Sequence, residues 1–142
     1  MPAQTGDVGP ETLADAFRAV SRRLRLRIQD ALAPWDVTPS QSRALGVLTR
    51  HGAVRLGTLA EHLHIAPRSA TEVVDALGAA GLVERRPDTA DRRASLVALT
   101  ARGEQVTAGI RAARAAEADD FFARIDDTDR AELARILEKL RA

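Results

Sequence analysis

The chain has 142 residues, enough for one domain with a hydrophobic core and too few for two of ordinary size. Hydrophobic residues at 45% and charged residues at 29% give the balance of a folded chain and not of a disordered one. Cysteine and asparagine are both absent, which excludes disulfides, thiolate metal sites, a cysteine nucleophile, a thiol redox switch and N-linked glycosylation.

No apolar run marks the N-terminus, and the uncharged stretch from Ala76 to Val83 is far short of the roughly 20 residues that span a bilayer. A cytoplasmic protein with no membrane segment is expected. The 21 basic and 20 acidic residues nearly cancel, so bulk charge gives no argument for a nucleic-acid partner. Lys139 is the only lysine. With the alanine richness and the missing asparagine, this reads as the composition of a GC-rich genome, so each arginine is judged by its position.

Residues 1–10 hold two prolines and two glycines and read as a disordered tail, leaving residues 11–142 as a single domain. From Glu11, the residues Leu13, Phe17, Val20, Leu24, Ile28 and Leu32 recur at helical spacing and form the stripe of a long amphipathic helix that Pro34 stops. Thr38 and Gln41 fit a reciprocal capping box with Pro39 at the first helical position, so a second helix starts there and ends at Gly52. A short third helix follows from about Leu56, and after the turn His64-Ile65-Ala66 a fourth runs from Pro67 to about Ala80. Gly81 is placed to end it in the left-handed conformation, with Leu77 and Leu82 in apolar contact.

The period then changes. Residues 82–86 and 95–99 read as two short strands around a charged loop, Pro87 to Arg93, that has to project into solvent. Thr100 caps a long alanine-rich helix to about Ile125, and Asp129 with Glu132 is placed to open a last helix carrying Leu133, Ile136, Leu137 and Leu140.

The order helix, short turn, helix, β-hairpin gives a mainly α fold with a small β-hairpin wing, the layout of a winged helix-turn-helix whose second helix enters the major groove of DNA. Ala60 is small where the paired helices cross, and Ile65 is placed to plug their junction. Arg68, Ser69, Thr71 and Glu72 occupy the polar start of the inserted helix. Without asparagine, base reading falls to Arg68 on a guanine edge, to the Ser69 and Thr71 hydroxyls, or to Glu72 on a cytosine amine. The bland alternative is an exposed Arg68 paired with Glu72 one helical turn on. Arg92 and Arg93 at the wing tip suit a minor groove, where negative potential draws arginine. The plain reading is a solvated hairpin tip. Arg85 and Arg86 are read as phosphate contacts.

The runs Val37-Thr38-Pro39-Ser40-Gln41, Leu59-Ala60, Val74-Asp75-Ala76-Leu77 with Gly81-Leu82-Val83, Asp91-Arg92-Arg93-Ala94 and Leu99-Thr100-Ala101-Arg102-Gly103 together resemble the MarR (multiple antibiotic resistance regulator) transcription factors. The resemblance implies a homodimer on double-stranded DNA, with residues 11–33 and 101–142 as the helical dimerisation region and residues 34–100 as the winged-helix DNA-binding region. It implies a repressor on a palindromic operator that a small effector releases. It makes Asp91 the brace of the wing loop. It also implies a small aromatic or phenolic ligand near Phe17 and Trp35, although single aromatics at helical spacing ordinarily fill a core. Family members often carry a basic residue where Glu72 stands.

The dimer is also expected from the residues, because the apolar stripes of the first and last helices exceed what so small a DNA-binding unit buries. No phosphate loop, nucleophile elbow or paired metal-binding histidines are present, so no catalytic residue, metal or cofactor is expected. His51, His62 and His64 read as surface or phosphate-facing residues. The rival function is a winged helix that binds protein, which predicts an uncharged or acidic wing.

Overall fold

The computed structural model describes residues 10–142, so the expected disordered tail falls, apart from Pro10, outside the described residues. Pro10 is helical: α1 spans Pro10–Leu32, with the proline at its first position, where a missing N–H removes no helical bond. A 3₁₀ turn, Ala33–Trp35, then closes on Asp36, whose N–H reaches the Ala33 carbonyl at 3.1 Å.

Helix α2 (Pro39–His51) starts as its sequence predicts. The Gln41 N–H donates to Thr38 Oγ1 at 3.1 Å and the Thr38 N–H to Gln41 Oε1 at 3.0 Å, the reciprocal box expected. Gly52 stops the helix at φ +74°, a conformation disfavoured for residues with a Cβ. The next element was not expected. Strand β1 (Val54–Arg55) pairs antiparallel with β3 (Ser95–Leu99), Val54 opposite Val97 and Arg55 opposite Leu96. Two residues are too few to display a strand's alternation, so the pairing is legible only in three dimensions.

Helix α3 (Leu56–Leu63) ends at His64 in the left-handed region, with the Ile65 N–H reaching the Ala60 carbonyl at 3.1 Å. Helix α4 (Pro67–Ala79) ends in the predicted Schellman geometry: the Leu82 N–H bonds the Leu77 carbonyl and the Gly81 N–H the Gly78 carbonyl, both at 3.0 Å. Leu77 and Leu82 are buried, as that ending requires. Strand β2 (Val83–Pro87) pairs with β3, giving a three-stranded antiparallel sheet in the order β1-β3-β2.

Helix α5 (Ala101–Phe122) is locked at its start onto the corner after α4. Thr100 Oγ1 accepts from the Gly103 N–H at 3.0 Å and donates to the Gly81 carbonyl at 2.7 Å, while the Thr100 N–H reaches the Leu82 carbonyl at 3.1 Å. Gly103 is required there, because a Cβ on it would lie 2.0 Å from the Leu82 carbonyl oxygen. Helix α6 (Asp127–Arg141) corrects the expected start. Asp126, and not Asp129, is its cap, accepting from the Asp129 N–H at 2.8 Å. Of two acidic residues three apart, the first is in extended backbone and takes the cap. Arg130 then turns back to bond the Phe122 and Ile125 carbonyls at and just beyond the end of α5.

The chain divides into two compact units. One, Leu32–Arg114, contains the helix pair, the sheet and the first part of α5, around a core in which Leu45, Leu59, Leu77 and Val97 are fully buried. The other consists, among the described residues, of α1 up to Ala31 and the chain from Ala115 on. None of its described apolar residues is fully buried. It is tied by Arg27, which bonds Glu117 at 2.6 Å, pairs with Asp120 and lies over the Phe121 ring. The Asp120 and then the Glu117 carboxylate raise the Arg27 guanidinium pKa, so it stays charged. Among the described residues, no helix is long and apolar enough to cross a membrane.

Candidate nucleic-acid interface

Helix α4 buries Ala70, Val74 and Leu77 against the helix pair and the sheet, and this turns its polar start outward. Arg68, Ser69 and Glu72 are exposed and Thr71 is half-buried. The cap position is Ala66, which offers no side-chain acceptor, and the first turn has no acidic residue. The first amides of α4 therefore meet no internal anion. Among the described residues Arg68 and Glu72 form no ion pair, so the bland pairing of the two is not what the structure adopts. Thr71 is already partly engaged. Its Oγ1 donates to the Pro67 carbonyl at 3.0 Å, which commits the proton and leaves an acceptor lone pair and a methyl group to offer a base.

The wing loop is pinned by two aspartates. Asp91 Oδ1 accepts from the Arg93 N–H at 3.0 Å, and the Asp91 carbonyl accepts from the Ala94 N–H at 3.1 Å. Asp88 is the residue that sequence reasoning missed. Only 8% exposed, it accepts from the Ala90 N–H at 2.9 Å on one oxygen and from Arg55 Nε at 2.8 Å on the other. The Ala90 amide and then the Arg55 guanidinium hold its carboxyl below the usual carboxylate range. No signal short of the β1 pairing could have found this contact, since 33 residues separate the partners.

Arg92 and Arg93 stand exposed at the tip and, among the described residues, form no ion pair. Arg85 and Arg86 differ from them. Arg85 reaches Asp75 of α4 at 3.2 Å, and Arg86 bonds Glu84 at 2.8 Å. Arg86 also borders a cleft of about 410 Å³ with Leu48, Ala98, Leu99, Glu104 and Arg111.

The two aromatics read as ligand contacts fall in different units. Trp35 is half-buried, and its indole fits against Gly109, where a Cβ would lie 3.0 Å from Nε1; that is a packing role. Phe17 is 54% exposed on α1. His51 and His62 stack with ring centroids 4.1 Å apart.

The MarR family model matches residues 37–95, from the approach to α2 into β3, and so covers both α4 and the wing loop. An uncharacterized HTH-type transcriptional regulator of Mycobacterium leprae (strain TN) is 35% identical over 71% of this chain and 70% of its own length. The chain belongs to the MarR family. The HTH-type transcriptional repressor MdtR of Bacillus subtilis (strain 168) is 25% identical over 88% of this chain and 81% of its own. The solved structure of a MarR family protein from Bacillus stearothermophilus superposes with a TM-score of 0.80 at 25% identity, over 91% of this chain and 90% of that one. As a MarR-family protein the chain is a transcriptional regulator, DNA binding comes with the family, and the winged helix is the family's fold.

Proposed function

We propose that the chain is a homodimeric, sequence-specific repressor that binds a palindromic operator and is released by a small effector. Each subunit inserts α4 in the major groove and its wing in the adjacent minor groove. The observation that carries the reading is the shared outward presentation of an uncapped helix start bearing Arg68 and of a braced loop bearing Arg92 and Arg93. In this reading Arg68 takes a guanine edge, Ser69 and Thr71 offer hydroxyl oxygens, and Glu72 accepts from a cytosine amine. Arg85 and Arg86 exchange Asp75 and Glu84 for backbone phosphates, and Asp91 braces the tip.

The dimer is supported by the exposed apolar side chains Leu13, Phe17, Val20 and Leu26 of α1 and Ile136 and Leu140 of α6. Large apolar side chains left exposed in one unit suit an interaction site, and fully burying one such side chain stabilises by about 1.5–3 kcal/mol. Repression is supported by the similarity to MdtR, which is named a repressor. The wing's arginines support DNA over a protein partner. A regulator with this target works in the cytoplasm, beside the chromosome. For the effector, Trp35, the single tryptophan, is a built-in fluorescent reporter for titration with phenolic compounds.

The deciding experiment selects bound duplexes from random DNA and then titrates matched and mismatched versions at several salt concentrations. Arg93→Ala is expected to weaken binding on every sequence, whereas Arg68→Ala also relaxes preference at one base position, each by about 1–3 kcal/mol. Selection of no duplex, or binding without steep salt dependence, would overturn the reading.

A further inference from the structure

The sheet pairing places Arg55, at the end of β1 and directly before α3, opposite Leu96 on the second wing strand. From there its guanidinium reaches Asp88 at the root of the wing loop, with Nε at 2.8 Å and Nη2 at 2.7 Å from the same carboxylate oxygen. The other Asp88 oxygen holds the Ala90 N–H at 2.9 Å, and the Asp88 N–H reaches the Ala94 carbonyl at 3.2 Å across the loop. One carboxylate thus joins the wing loop's own backbone to the strand that leads into the helix pair. Asp88 is 10% exposed at the side chain and Arg55 48%, so the pair is anchored on its acidic side and open to solvent on its basic side.

We infer that the Arg55–Asp88 ion pair is a latch that fixes the position of the wing tip relative to the helix pair, and with it the offset between Arg92 and Arg93 and the start of α4. Both are positioning residues and neither touches DNA. The step from wing position to operator binding rests on the proposed minor-groove role of the wing. A hairpin tip lacking such a tie samples many orientations, and each arginine then pays the ordering entropy when it binds.

The chain's lack of cysteine makes the test direct, since Ala90→Cys provides a unique labelling site on an exposed side chain at the tip. In this background Asp88→Asn keeps an acceptor for the Ala90 N–H but loses the charge, and Arg55→Gln removes the other half. Both variants, free in solution, are expected to show a gain in nanosecond mobility of the label. Without the label, both are expected to bind the selected operator about tenfold more weakly, the scale of one well-placed charged contact. Hydroxyl-radical protection of the flanking minor groove is expected to fade while guanine protection in the major groove persists. The double variant is expected to be no worse than either single one, because both remove the same interaction.

Unchanged label mobility in both single variants would overturn the latch. So would an affinity loss confined to Arg55→Gln, which would make Arg55 a phosphate contact. A looser label with unchanged operator affinity would uphold the latch and overturn the wing's proposed DNA contact.

Discussion

A single methyl group separates two outcomes at Gly103 and Gly109. At Gly103 the added Cβ would meet backbone, the Leu82 carbonyl oxygen at 2.0 Å, and backbone held by Thr100 cannot retreat. At Gly109 it would meet the edge of the Trp35 ring at 3.0–3.2 Å, and a half-buried side chain can shift by a few tenths of an ångström. Gly103→Ala is therefore expected to destabilise by about 3 kcal/mol and Gly109→Ala by about 1 kcal/mol, as read from urea unfolding midpoints. Equal losses would show that the corner after α4 is softer than its hydrogen bonds imply. Asp88 gives a prediction with a sign. Its carboxyl is held below the usual range in the folded chain, so its contribution is full above the unfolded value of about 3.9 and is lost as pH falls through the folded one. The stability gap between the natural chain and Asp88→Asn is expected to be constant near neutrality and to close below about pH 4. A gap that widens in acid would contradict that assignment.

Helix boundaries were legible wherever one local signal decided them. Thr38 and Gln41 lie three apart and cap each other, and Gly81 with its flanking leucines ends α4, because these geometries involve only neighbours in the chain. The start of α6 was misplaced for an equally local reason: Asp126, Asp127 and Asp129 all suit a cap, and backbone conformation chose among them. Asp126→Ala is expected to cost about 1 kcal/mol and Asp129→Ala much less, by thermal unfolding. Equal costs would return the cap to Asp129. In the candidate interface, the exposed arginines were legible from the polarity of the α4 start and of the loop. What could not be read was what the interface residues bond to. The commitment of Thr71 to Pro67, of Arg85 to Asp75 and of Asp88 to Arg55 depends on rotamers and on a two-residue strand that pattern alone does not reveal.

Across the whole molecule the apolar burial is uneven. Among the described residues, every fully buried apolar residue belongs to the unit from Leu32 to Arg114, and the large exposed ones belong to the other. A charge introduced among the latter, as in Phe17→Glu or Leu140→Glu, is expected to leave the first unit folded. It is also expected to shift the sedimentation profile to a single subunit and to weaken operator binding by at least about tenfold, since the two half-sites of the proposed operator are then bound one at a time. A dimer that survives both substitutions would place the interface elsewhere.

The same unevenness has a consequence for how the protein behaves in a living cell. In the proposed dimer, helices that lack an interior of their own are held by their counterpart, so their stability falls as subunit concentration falls, while that of the reading head does not. Subunit concentration then joins the proposed effector as a second input to operator occupancy.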